Sequence, residues 1–405
     1  MPTEILNEHL RRPPALRPAL LEGSWLGEAG ACWRAVNPAS VLEGSGDALC
    51  ELPAWLERNA QQFPQGAAIG YLAYELARHF EPLNLPVNPS LPEVSFAYYP
   101  GIELFRAPPC EPCAPGGSAR IYSPVDFATY GRQIQRLRDF IAAGDIYQAN
   151  LTIPFRAEIG NESPESIYRR LRCSGAPFRA FLKTPQRTIV SNSPERFFCV
   201  AENRILASPI KGTMARDPHH PAQSAAALLR SEKDKAENLM IVDLLRNDLG
   251  RICNYSSVRA RLWEAEALPQ LVHLVSHVEG TLRPGMEIRE ILAALFPCGS
   301  ITGAPKIRAM EILAGLEPAP RGVSMGAIGI IRSAAARDRC RMDFSVAIRT
   351  LVIEGDQAVF NVGGGIVYDS DSAAEFEEVM LKARPLFEAL GAGKEVCSRP
   401  FSAIR

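Results

Sequence analysis

The chain carries only seven lysines, Lys183, Lys211, Lys233, Lys235, Lys306, Lys382 and Lys394, so each one invites a specific question. Lys211 stands in Ala207-Ser208-Pro209-Ile210-Lys211-Gly212-Thr213, directly after an apolar strand. A strand end normally enters a surface loop, and a solvated lysine is the ordinary occupant. Flanked by Pro-Ile and Gly-Thr, however, this amine is on a short tether. A desolvated or cation-neighboured lysine becomes a neutral nucleophile. Glu195, in Ser191-Asn192-Ser193-Pro194-Glu195-Arg196, would pair with Arg196 on a surface; in a dry pocket it becomes a proton donor.

A second group lies near the C-terminus. Glu375, Glu378 and Lys382 at i, i+3 and i+7 share one face of a predicted helix, as a solvated face also would. Just before it, a strand ends in Gly363-Gly364-Gly365, where bare backbone N–H groups allow an anion to approach. Such amides beside carboxylates suggest an anion held through a divalent cation. Mg2+ suits that arrangement, since it accepts one or two carboxylates and leaves its other positions to water and substrate oxygens. Glu237 falls in a predicted helix four residues after Lys233, and spacing alone does not single it out from an i, i+4 pair.

The elements that must position these groups follow from periodicity and punctuation. Helices are predicted over Trp55–Gln62, Pro124–Ala143, Ala222–Arg230, Lys233–Arg251, Ile288–Leu295, Pro305–Leu316 and Ser372–Leu390. In Lys233–Arg251 the apolar stripe is Leu239, Val242, Leu245 and Leu249. Strands are predicted at Ala67–Leu76 in part, Val94–Tyr99, Gly101–Phe105, Ile146–Phe155, Phe178–Leu182, Thr188–Val190, Arg196–Val200, Ile205–Ala207, His273–Glu279, Gly326–Ile331, Phe344–Ile353 and Ala358–Val362. A polar hairpin is expected over Arg332–Arg341. Gly299-Ser300-Ile301-Thr302-Gly303-Ala304-Pro305-Lys306 departs from a phosphate loop, because Lys306 follows proline and Ile307 replaces the hydroxyl residue; it is expected to form a turn and a helix start. Strands paired consecutively with helices grouped between them argue for an α+β fold with large antiparallel sheets. Nine prolines between Glu81 and Ser118 mark the best boundary, dividing 1–118 from 119–405.

Composition narrows the class. Of 405 residues, 44 are Lys or Arg and 45 Asp or Glu, a net charge of −1 that gives no footprint for nucleic acid. No apolar run of transmembrane length occurs, and Glu4, Glu8, Arg11 and Arg12 occupy the place of a signal-peptide core, so a cytoplasmic chain without membrane contact is expected. Its ten cysteines are then expected as reduced thiols, Cys110 and Cys113 among them, in a proline-rich loop that suits neither zinc nor a thioredoxin-type site.

Six segments together resemble the chorismate-utilising enzymes, and among them the aminating branch that makes 4-amino-4-deoxychorismate. They are Asp145-Ile146-Tyr147-Gln148-Ala149-Asn150-Leu151, Ser191 to Phe197, Pro209 to Thr213, Ala236 to Asp248, Phe296 to Lys306 and Gly363 to Val367, spread over roughly Tyr122 to Leu386. The resemblance implies two large antiparallel sheets packed as a β-sandwich with helices outside, a four-layer α/β/β/α arrangement. Residues 1–118 would complete the sandwich, and 119–405 would form the chorismate-binding region.

It also implies roles. Glu237 and Glu378 resemble Mg2+ ligands, with Glu375 acting through a water. Thr213, Lys382 and the amides of Gly363, Gly364 and Gly365 resemble the groups that fix substrate carboxylates, and Arg349 resembles the partner of the enolpyruvyl carboxylate. Lys211 would attack ring carbon C2, with Glu195 or His273 supplying the proton to the departing C4 hydroxyl; ammonia would then enter at C4. Members that form isochorismate carry lysine where Gln148 stands, and anthranilate synthases usually carry alanine where Lys211 stands. An anthranilate-forming enzyme and a non-catalytic chorismate-binding partner are the alternatives. Ser324 stands where the family commonly has tyrosine. Without a glutaminase segment, ammonia is expected from solution or from a glutamine amidotransferase subunit.

Overall fold

The computed structural model describes residues 2–110, 116–117, 119–217, 220–267, 271–332, 340–392 and 397–398. Its strands form two large sheets, antiparallel except where Cys397–Ser398 lies parallel to Arg120–Ser123. The first runs from Cys397–Ser398 through Arg120–Ser123, Gln148–Glu158, Gln357–Ile366, Thr350–Glu354, Thr188–Ser193, Phe178–Lys183, Ala19–Gly23 and Ala31–Ala35 to Glu103–Arg106. The second runs from Ile210–Ala215 through Leu271–Thr281, Arg204–Ser208, Arg196–Ala201, Cys340–Val346, Ala327–Arg332, Ala67–Leu72 and Val94–Tyr99 to Ser40–Gly44. The residues before 118 thus extend both sheets at the end remote from Lys211.

The two-residue period of the strands sorts their side chains into layers. Ala67, Ile69 and Tyr71 join Ala19, Leu21, Ile189, Ile328 and Ile330 in an apolar cluster between the sheets. Their neighbours Ala68 and Leu72 face outward, into a second cluster with the helices Gly46–Gln62, Glu232–Gly250 and Ile288–Leu295. Leu20 faces the opposite outer layer, where the helices Phe127–Ala142, Pro164–Leu171 and Ser372–Leu390 cover the first sheet. Helix, sheet, sheet, helix is the expected layering. No helix among the described residues is long and apolar enough to cross a membrane.

Four expectations change. Phe344–Ile353 is not one strand: the chain breaks at Ala347–Arg349 between Cys340–Val346 and Thr350–Glu354, with Arg349 at φ 51°. In the helix Glu232–Gly250, Leu239 is 38% exposed and Asn238 is buried instead, its amide engaged by Ser276 and Leu274. The three glycines do not follow a strand; they lie inside Gln357–Ile366 and pair with Thr152, Leu151 and Asn150. Cys110 is not a free thiol but is bonded to Cys173, with Cα atoms 5.4 Å apart. Cys113 and most of the hairpin 332–341 lie outside the described residues.

Candidate active site

Lys211 owes its position to a β-bulge. Ile210 pairs with Val275 and Thr213 with His273, so Lys211 and Gly212 together oppose the single residue Leu274. One extra residue bends the strand and re-aims a side chain. Gly212 takes φ 91°, and a Cβ there would come within 2.9 Å of Asp234 on the helix Glu232–Gly250, so glycine alone fits. The amine ends beside the glycine-rich strand: a Cβ built on Gly365 would lie 2.9 Å from Lys211 Nζ. Half-buried and without a hydrogen-bond partner among the described residues, the amine is pushed below the ordinary lysine pKa, first by burial and then by the Lys382 charge.

Glu195 is 3% exposed and accepts from the Ile210 N–H at 3.4 Å, one residue from the lysine. Burial pushes its carboxyl up to about 7, against the opposing pull of the Ser300 hydroxyl and the Lys211 and Lys382 charges. A carboxyl half-protonated near neutrality is suited to give and retake a proton. His273, also buried, is pushed down to about 3 by burial and by the Arg349 and Lys382 charges. It is a neutral imidazole whose Nδ1 lies 2.9 Å from Thr213 Oγ1. Of the two proton donors expected from sequence, Glu195 is the one whose pKa lies near neutrality.

The orientation of the glycine amides is fixed by their neighbours. Asn361 N–H donates to Ser324 Oγ at 2.9 Å, away from Gln148–Glu158, and strand alternation turns the Gly363 and Gly365 amides the same way. Asn150, opposite Gly365, also turns its N–H outward, to Thr302 O at 2.7 Å. Gly364 faces the ladder, so two of the three amides remain on the open side. Lys382 donates to Gly363 O at 3.3 Å and pairs with Glu378 at 2.7 Å. Arg349 has no ion pair or hydrogen-bonded side-chain partner among the described residues, and burial lowers its pKa to about 10. A half-buried guanidinium with no ion-pair partner among the described residues has the charge and the fork geometry of a receptor for carboxylate. Ser324 does not extend this receptor, because its buried hydroxyl is held by the Asn361 backbone.

The three carboxylates divide into two sets. Glu237 and Glu378 are among the charges that act most strongly on Lys211. Glu375 lies on the helix side of Gly364 and accepts from Ser370 at 2.7 Å. Burial raises the pKa of Glu237, and the Glu378 charge adds to the rise; at Glu378 burial is the largest single influence, but Lys382, Lys211 and Lys233 together outweigh it and lower the carboxyl. Among the described residues no three His, Cys, Asp or Glu side chains converge to hold a metal ion unaided. Two mutually repelling carboxylates with hard oxygen donors fit Mg2+, which completes its shell with water and substrate.

Among the described residues, other buried polar atoms around the site have no hydrogen-bond partner: Gln148 Oε1, Asn150 Nδ2, Asn192 Oδ1 and His273 Nε2. Leaving such groups unsatisfied costs about 1–3 kcal/mol each, so a water or a bound molecule that supplied the partner would be favoured here. Asn150 Nδ2 lies 2.8 Å from a Cβ built on Gly363. Its sequence signal was its place two residues after Gln148, on one strand face. Asn192 also ties the site together, its N–H donating to Arg349 O at 3.1 Å and its side-chain amide to Ser174.

Residues 34–388 match the family described as chorismate binding enzyme. The chain is 35% identical to aminodeoxychorismate synthase component 1 of Escherichia coli over 354 residues, 80% of this chain and 77% of that protein. It is 33% identical to anthranilate synthase component 1 of Streptomyces coelicolor over 415 residues, 87% of this chain and 79% of that protein. The crystal structure of anthranilate synthase component I from Streptococcus pneumoniae superposes with a TM-score of 0.75 at 26% identity, covering 93% of each chain.

Proposed function

The chain belongs to the chorismate-binding enzymes and is a chorismate-utilising enzyme, and from that premise we propose that it aminates chorismate at C4 to give 4-amino-4-deoxychorismate. One observation carries the choice of reaction: the Lys211 amine lies against Gly365 with the near-neutral acid Glu195 beside it. An alanine at position 211 would leave C2 open to ammonia; a lysine there takes that carbon itself.

Chorismate is a dianion with few other handles. Arg349 and the outward amides of Gly363 and Gly365 suit its carboxylates, and Lys382 adds charge at the edge of the same strand. Glu237 and Glu378 would hold Mg2+, which when bound draws electrons from the ring through the carboxylate it grips. The neutral Lys211 amine forms a bond to C2 as the ring π electrons shift and the C4–O bond breaks. Glu195 gives its proton, so the hydroxyl leaves as water. Ammonia then bonds to C4, the π electrons shift back, and the C2–N bond breaks to free Lys211. The surplus proton on the new amine returns to the Glu195 carboxylate, and the site is restored. General acid help of this kind contributes about 10²–10⁴-fold.

Relatives carrying the name component 1 support the reading that a second subunit, a glutamine amidotransferase, supplies the ammonia. The test is to incubate the protein with chorismate, ammonium and Mg2+, with and without EDTA, and identify the product by mass and retention time. Metal-dependent 4-amino-4-deoxychorismate is expected. Fluorescent anthranilate formed without any added lyase would instead establish C2 amination, and binding without turnover would establish a chorismate sensor.

A further inference from the structure

The strand Arg259–Ala267 pairs along one side with Leu271–Thr281 and along its other side with no strand among the described residues. All of its residues except Trp263 and Ala265 are exposed. Those two lean on the apolar cluster of Leu228, Val272 and Leu274. Which backbone groups reach the open edge follows from the neighbouring strand. Ser276 N–H donates to Pro209 O at 3.2 Å and Leu282 N–H to Asn203 O at 2.8 Å, both away from Arg259–Ala267. Alternation therefore turns the backbone of His273, Val275, His277 and Glu279 toward their partners Glu266, Glu264, Arg261 and Arg259. The residues between, Ala260 and Ala265, point their N–H and C=O groups outward. A bulge sets the charges. Leu262 and Trp263 together oppose Ser276, so Arg261 and Glu264 share one face and their side chains lie 3.6 Å apart.

We propose that this edge joins two copies of the chain by antiparallel strand pairing about a two-fold axis at the bulge. Along the charged face the order is Arg259, Arg261, Glu264, Glu266, and a second copy turned by half a rotation presents it reversed. One register then sets Arg259 against Glu266 of the second copy and Arg261 against its Glu264, and the symmetry makes each pair twice. The same register brings Ala260 opposite Ala265, the residues whose outward backbone groups can exchange N–H···O bonds. The charged pairs fall at the intervening positions, where opposite side chains approach most closely. Sliding the copies by two residues in either direction would set Glu264 against Glu264 or Arg261 against Arg261, so like charges disfavour the other registers. Bulges and charges ordinarily guard an exposed edge against indiscriminate pairing; the order of charges on this one admits its own copy. Contact along a single nine-residue edge is small. It falls below about 1,200 Å2, the range of weak association, so the dimer forms at micromolar concentrations and above.

The test is sedimentation velocity of the full chain at low salt over about 1–200 µM, where the wild type should pass from monomer to dimer. Added salt should weaken the dimer, since its charged pairs lie at the surface. Arg261→Glu places a carboxylate against Glu264 of the other copy at two points, and the dimer Kd should rise at least about tenfold; Glu264→Arg should do the same. Mixed one to one, these two variants regain every opposite-charge pair and should associate about as well as the wild type. The double variant Arg261→Glu/Glu264→Arg should likewise dimerise by itself. Ala260→Pro removes an outward N–H and no bond of the chain's own ladder, a place where an edge strand accepts proline, so the dimer should be lost at an unchanged melting temperature. A wild-type chain that stays monomeric across this range would leave the edge to a different protein and overturn the inference. So would a dimer that Arg261→Glu and Ala260→Pro leave intact, or paired variants that fail to associate on mixing.

Discussion

Gly365→Ala places one methyl group against the nucleophile and leaves every charged residue in place. A Cβ built there lies 2.9 Å from Lys211 Nζ, whereas non-bonded heavy atoms rest at about 3.5–4.0 Å. The amine must therefore retreat by about 0.6–1 Å. Gly365 is not in the left-handed region, so alanine meets no backbone strain. The group that yields is the free end of a flexible side chain, and the change in stability should stay within about 1 kcal/mol. Catalysis is far less tolerant, because displacing a reacting atom by about 1 Å costs roughly 10²-fold. Steady-state product formation with chorismate, ammonium and Mg2+ should show kcat reduced about 30–100-fold at an unchanged melting temperature. Gly364→Ala is the control: its Cβ points to the other face, where the nearest atom is Glu375 Oε2 at 3.4 Å. If Gly365→Ala keeps wild-type kcat, the Lys211 amine does not react from beside this strand, and the covalent route is wrong.

Lys211→Ala should lower formation of the C4 product by at least about 10³-fold, or redirect ammonia to C2, while chorismate binding measured by equilibrium dialysis persists; an unchanged product and rate would exclude the nucleophile role. His9 tests a purely structural consequence of burial, which pushes its pKa down to about 4 while its ring bonds Ala19 O at 3.0 Å. Between that value and an unfolded value of about 6.5 the unfolded chain binds more protons, so stability is lost as pH falls through this window; urea unfolding should show about 2 kcal/mol more loss from pH 7 to pH 5 in wild type than in His9→Gln.

The residues proposed to carry the chemistry were legible by type, because a scarce lysine, a glycine triplet and an acidic helix face are local patterns. Their arrangement was not. The bulge that aims Lys211 exists only relative to Leu274 on another strand, so no reading of Pro209–Thr213 alone reveals the extra residue. Residues 344–353 contain an apolar run that suggests one strand, and the turn at Arg349 becomes visible only when Ala347 N–H bonds Gly326 O and Asn192 N–H bonds Arg349 O. Leu239 and Asn238 exchange places for a similar reason: the helix turns Asn238 toward Ser276 and Leu274, and a buried, satisfied amide replaces the leucine that helical spacing favoured. Periodicity reports which side of an element is apolar; it does not report what meets the other side.

In the proposed amination Lys211 and Glu195 must both be uncharged at once, one to attack and the other to give its proton, and the fold sets the competition between this neutral pair and the ion pair. Burial favours the neutral pair on both sides, lowering the amine and raising the carboxyl. Their mutual attraction favours the ion pair. Lys382 acts on both with the same sign, lowering the amine, which helps, and lowering the carboxyl, which does not. Lys382→Met should therefore move both limbs of the kcat/KM profile to higher pH. This outcome does not depend on which limb belongs to which group, an assignment that kinetics alone leaves open for coupled sites. If removing the Lys382 charge shifts one limb and leaves the other in place, the two groups do not share its field, and the picture of one amine and one acid held neutral in a common pocket fails.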